Sequence, residues 1–155
     1  MPLTKLASLS FASILALGAL AVFAEDMPVV DPSIATMTVD QKVEARRAAM
    51  KEDKDLLGGA FKATGKDAVD IANKVLQNFT NFPALFADGA TNDQSHALPV
   101  IWDEFDKFTA IVDKGKTDLV ALRQAATDGD QEKYVASLKA LGGVCGECHQ
   151  TYRGQ

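Results

Sequence analysis

Metal-binding donors are scarce in this chain, which has two cysteines and two histidines among 155 residues. A structural zinc centre needs four ligands. Once Cys145, Cys148 and His149 are counted, the one other His is His96 and no Cys remains, so a Cys/His zinc site would have to draw on every such donor in the chain. Positive charge is also in deficit. Against 16 Lys and Arg stand 21 Asp and Glu, a net charge of −5 at pH 7. That balance argues against nucleic acid or an anionic membrane surface as a partner. The chain has no strand-type alternation, no internal repeat, no low-complexity tract and no Ser/His/Asp set for nucleophilic catalysis. The reading is a non-enzymatic, all-α protein.

The long hydrophobic run lies at the start. Lys5 precedes an apolar stretch from Leu6 to Phe23, interrupted by Ser8, Ser10 and Ser13. Val22-Phe23-Ala24 then supplies the −3 and −1 positions of a cleavage site, before Glu25 and Asp26. Residues 1–24 are therefore expected to be a cleaved secretory signal peptide. The run is at the short end for a span, and no membrane span is expected after cleavage. Loss of Lys5 leaves 15 Lys and Arg against 21 Asp and Glu, a net −6. Free thiols in an oxidising compartment tend to pair, so an exported chain with two cysteines needs an account of them.

Cys145-Gly146-Glu147-Cys148-His149 supplies that account. C-x-x-C-H is the spacing of a c-type haem attachment site. Two thiols three positions apart can add to the two vinyl groups of one porphyrin, and the next imidazole is placed under the iron. On a helix the three side chains share one face. A thioredoxin-type pair belongs at a helix start after a strand, and no strand precedes this motif. A disulfide across two residues is strained by its short span.

Residues 25–37, with Pro28 and Pro32, read as an extended lead-in. Thr38-x-x-Gln41 is a capping box opening a first helix. Val43, Met50 and Leu57 stack along it at heptad spacing, with Arg46 and Phe61 nearby, and Gly65 is expected to end it. A second helix, capped by Asp67, carries Ala68, Ile71, Ala72, Val75, Leu76 and Phe79 on one face and stops before Pro83. Residues 83–97 read as one long polar connection containing an exposed His96. From Pro99 a third helix runs through Ile101, Phe105, Phe108, Val112, Leu119, Leu122 and Ala126, with Gly115 on the seam marking a close approach. Asp128-Gly129-Asp130 is a turn, and Asp130 caps a fourth helix. Tyr134, Leu138, Leu141, Cys145, Cys148 and Tyr152 continue its seam. Gly142-Gly143 is costly inside a helix and reads as a place where a planar group lies against the backbone. Trp102, Phe105, Phe108, Phe61 and Phe79 read as core, while Tyr134 and Tyr152 are in range of a haem edge.

Three stretches carry a family resemblance: Arg46-Arg47-Ala48-Ala49-Met50-Lys51, Val100-Ile101-Trp102 with Phe105 and Phe108, and the C-x-x-C-H motif followed by Tyr152-Arg153. With them the chain resembles the class II cytochromes c, cytochrome c′ and its low-spin relatives, over nearly all of residues 38–155. The resemblance implies an antiparallel four-helix bundle with a C-terminal haem-attachment helix, a known template for cytochrome c′. It also implies periplasmic location, one covalent haem c and often a homodimer. Cys145 and Cys148 would then carry the thioethers and His149 would be the proximal ligand. Arg153 matches an arginine beside the proximal face. Arg46 matches one near the haem propionates, where a guanidinium can hold carboxylates bidentately; Arg47 either shares that role or is a surface residue. Met50 falls at the position facing the distal side of the iron. Two functions follow. With His149 and Met50 both ligating, the protein is a single-electron carrier serving a redox partner protein. With Met50 only crowding the sixth site, it is a five-coordinate binder of the diatomic gases NO or CO.

Overall fold

The computed structural model describes residues 27–155; the expected signal peptide lies outside them. Five helices follow in order: α1 (Val39–Ala60), α2 (Gly65–Phe86), the short α3 (Val100–Asp103), α4 (Phe105–Asp128) and α5 (Gln131–Tyr152). The four long ones form an antiparallel bundle, as expected. Helix α2 packs along α1 and α4, and α4 along α5, whereas α1 and α5 make little backbone contact. An opening between the first and last helices is the result. The core is apolar and continuous, with Leu76, Phe108, Leu119, Leu122 and Leu141 among its most buried side chains.

Local signals set the helix ends where side chains meet main-chain groups. The Thr38–Gln41 capping box is present in both directions, with the Thr38 N–H donating to Gln41 Oε1 at 2.8 Å. Asp130 accepts from the Lys133 N–H at 3.0 Å, and Gly129 takes the left-handed conformation (φ 68°) that closes α4.

Elsewhere the structure departs from the expectations. Within the lead-in, Pro32–Thr36 is a 3-10 helix that buries Ile34. Helix α1 ends at Ala60, so Phe61 falls beyond it and is 52% exposed instead of lying in the core. Gly65 opens α2 and does not close α1; the cap position is Thr64, and Asp67 lies in the first turn. Helix α2 also continues through Pro83 to Phe86. A proline inside a helix costs about 3 kcal/mol. The continuation buries Phe82, Leu85 and Phe86, at about 1.5–3 kcal/mol for each large apolar side chain, and burial wins. The predicted third helix is split at Glu104 (φ −127°, ψ 40°) into α3 and α4. The split leaves the Trp102 indole donating to the Phe86 carbonyl at 2.7 Å, while Phe108 remains in the core.

Candidate functional site

The opening between α1 and α5 is a groove with two lobes of about 310 and 350 Å³. Met50, Phe86, Phe108, Cys148 and His149 line both. One lobe adds Phe79, Phe82, Ile111, Val112, Val144 and Cys145, together with Asp53 and Lys54. The other adds Arg46, Arg47, Ser95, His96, Tyr152 and Arg153. One end is therefore apolar and carries the thiols, and the other is rich in cations.

Helix α5 positions the motif. Val144 is buried, Cys145 and Cys148 are half-buried on the groove side, and His149 is at the rim. Desolvation and the nearby Asp53 charge raise the Cys145 thiol above its ordinary pKa. Desolvation, Cys145 and Glu147 push Cys148 up to about 11. Both sulfurs are thus neutral thiols at neutral pH, unlike the depressed thiolates of disulfide oxidoreductases. Desolvation and the positive Arg153 hold the His149 imidazole below its usual range. A neutral imidazole is the form that ligates a metal.

Past α5 the chain is clamped. The Leu98 N–H donates to the Tyr152 carbonyl at 2.9 Å, and the Gly154 N–H to the His96 carbonyl at 2.8 Å. Ala97 and Arg153 pair as an isolated antiparallel bridge. The loop before α3 thus fixes the residues that follow His149. His96 is exposed, as expected, and borders the groove.

Arg46 is almost fully buried, 3% exposed. It donates to the carbonyls of Leu85 (3.1 Å) and Ala90 (2.6 Å) and to Ser95 Oγ (2.7 Å). Its guanidinium carbon lies 4.3 Å from the centre of the Phe86 ring. Desolvation lowers its pKa to about 10, so it remains a cation at neutral pH. It is a strut between α1, the end of α2 and the clamp loop, as well as a wall of the groove. Arg47 is exposed and donates to Gln94 Oε1 at 2.7 Å; Arg153 is exposed at the mouth.

Gly115 keeps its reading as a close approach, whereas Gly142 and Gly143 line neither lobe of the groove. Gly142 and Gly143 are exposed, and a Cβ on either would meet nothing within 4 Å among the described residues. They are not a site of close approach. Gly115 is: a Cβ there would overlap the Phe79 ring, 2.7 Å from Cδ1, and meet Val144 Cγ1 at 3.3 Å. Tyr152 lines the groove, but Tyr134 does not; it is buried elsewhere, its hydroxyl without a partner among the described residues. Asp53 and Phe86 were not anticipated. Asp53 had a signal in the sequence, since a carboxylate three residues on from Met50 and four before Leu57 falls on the apolar stripe. Phe86 was hidden by the apparent stop at Pro83.

The donor set suits one kind of guest: a flat apolar ring that two thiols can bond at one edge, with anionic groups at the other. Residues 41–153 match the family model described as Cytochrome C′. The chain belongs to the cytochrome c′ family. It is 34% identical over 119 residues to cytochrome c′ of Pararhodospirillum photometricum, covering 72% of this chain and 94% of that one. Against a cytochrome c-556 of Agrobacterium fabrum it is 38% identical over 120 residues, covering 72% and 80%. The fold is similar to the crystal structure of cytochrome c′ from Thermochromatium tepidum, with a TM-score of 0.71 at 19% identity over 77% of this chain and 98% of that one. The cofactor of the cytochrome c′ family is haem c, and the two free cysteines fit its covalent attachment. Among the described residues no helix is long and apolar enough to cross a membrane.

Proposed function

We propose that this cytochrome c′ family member is an exported, periplasmic single-electron carrier. Cys145 and Cys148 would hold haem c by thioethers, His149 would ligate the iron, and the Met50 sulfur would fill the sixth position. The observation that carries this reading is the place of Met50, which borders both lobes of the groove from α1 while His149 borders both from α5. Of the other described methionines, Met27 is exposed and Met37 packs before α1, and neither lines the groove. When bound, haem would supply a one-electron couple, and methionine sulfur with imidazole as its ligands would favour the ferrous state relative to two nitrogens. Arg46, with Arg47 beside it, would stand near its carboxylates, and Arg153 would lie beside His149 and keep that imidazole neutral. Phe79, Phe82, Phe86 and Phe108, which line the groove, would keep water from the ring. The redox partner would be a separate protein, and the acidic surface suits a basic one.

A second reading has an observation in its favour: a similar solved structure is a nitric oxide complex of a cytochrome c prime variant from Alcaligenes xylosoxidans, with a TM-score of 0.65 at 24% identity. Under it Met50 only crowds the iron, and NO or CO binds. Another similar structure is of a cytochrome c′ with ligand-controlled dimer dissociation, so a homodimer goes with this reading. The optical spectrum of the reduced protein with and without CO separates the two. A low-spin spectrum slow to change under CO is expected. A high-spin spectrum that converts promptly overturns Met50 ligation.

A further inference from the structure

Asp53 is a carboxyl that neither reading uses. It lies on α1, three residues on from Met50, is 7% exposed, and lines the thiol end of the groove with Cys145. Its Oδ1 accepts from Asn78 Nδ2 at 2.7 Å, and the same nitrogen donates to Glu52 Oε2 at 3.0 Å. Around it stand Glu52 and Lys54 from α1, Lys74 and Asn78 from α2, and Cys145 from α5; His149 borders the same lobe, and α4 contributes only apolar groups there. Lys74 is turned to Glu52, 3.4 Å away. No cation is paired with Asp53 itself among the described residues.

We infer that Asp53, held by Asn78 in the wall of the haem groove, is a proton-binding site linked to the oxidation state of the haem. The inference rests on the haem reading of the groove. Reduction adds one negative charge to the iron centre, and a carboxylate buried in the wall of the same groove is repelled by it. Taking up a proton removes the repulsion. Atoms and charge balance simply: a one-electron donor protein supplies the electron, ferric iron becomes ferrous, solvent supplies the proton, and an O–H bond forms on Asp53. Reoxidation returns both. Burial, with the Glu52 charge, already pushes this carboxyl up to about 7 against the pull of Asn78 and Lys74, so the exchange falls near neutral pH.

The test is the midpoint potential of the full-length holoprotein, followed spectroelectrochemically from pH 5 to pH 9. The wild type is expected to lose potential as pH rises through neutrality. The limiting slope is a tenfold change in the reduction equilibrium per pH unit, or 59 mV for one electron. Asp53→Asn is expected to flatten that region. Asn78→Ala, which removes a hydrogen bond to the carboxylate, should move it to higher pH. If Asp53→Asn does not yield folded protein, the shift in Asn78→Ala and a protonated-carboxyl band in the redox-difference infrared spectrum of the wild type decide the matter. A wild-type potential independent of pH in this window, or a slope that survives in Asp53→Asn, overturns the inference and leaves the haem reading intact. A protein with no visible spectrum overturns the haem reading itself.

Discussion

The Arg46 guanidinium reaches the Ala90 carbonyl at 2.6 Å, across 44 positions of sequence. The same group holds the Leu85 carbonyl and Ser95 Oγ. The helix that carries Met50 is thereby tied to the loop that clamps the chain after His149, so the geometry of both faces of the groove depends on one buried cation.

Arg46→Met removes three hydrogen bonds from a charged donor and strands two carbonyls. The expected loss is about 3–5 kcal/mol of holoprotein stability, read by urea unfolding. Arg47→Ala, at an exposed neighbour, should change stability by less than about 0.5 kcal/mol. Equal effects at the two positions would contradict the strut.

At Gly115 the ring of Phe79 occupies the space a side chain would need. Gly115→Ala must push that ring towards the groove it lines. A cost of about 1–3 kcal/mol is expected for such overpacking, together with a displaced Soret band. Gly142→Ala, with open space around it, should be stabilising by roughly 0.5–1 kcal/mol through helix propensity. Unchanged stability and spectrum in Gly115→Ala would refute the contact.

The hydroxyl of Tyr134 is buried with no partner among the described residues, and burial raises its pKa. A stranded buried hydroxyl costs about 1–3 kcal/mol. Tyr134→Phe is therefore expected to leave thermal stability unchanged or to raise it. A marked loss would mean that the hydroxyl is bonded.

Asp53 is expected to make stability sensitive to pH in a defined direction. Its folded pKa, about 7, lies above the 3.8 of an ordinary aspartate, so the folded state binds the proton more tightly than the unfolded state. Its contribution is present below about pH 4 and is lost as pH rises through about 7, by at most roughly 4 kcal/mol. Asp53→Asn should remove that part of the pH dependence, raising stability at pH 8 relative to wild type in denaturant titrations.

The sequence alone determined the features that depend on neighbours along the chain. The Thr38–Gln41 and Asp130–Lys133 caps form from residues three apart, and Cys145, Cys148 and His149 reach one groove because a helix repeats every 3.6 residues. The four long helices and the family followed from the same local spacings. Tertiary structure decided what depends on burial and on distant partners. Pro83 did not stop α2, because Phe82, Leu85 and Phe86 had a core to enter, and local propensity knows nothing of that core. Phe61 lost its place there when α1 ended one residue before it. Arg46 became a strut and Asp53 a buried carboxyl because their partners arrive from 25 to 49 residues away, and burial and charge environment are properties of the assembled neighbourhood.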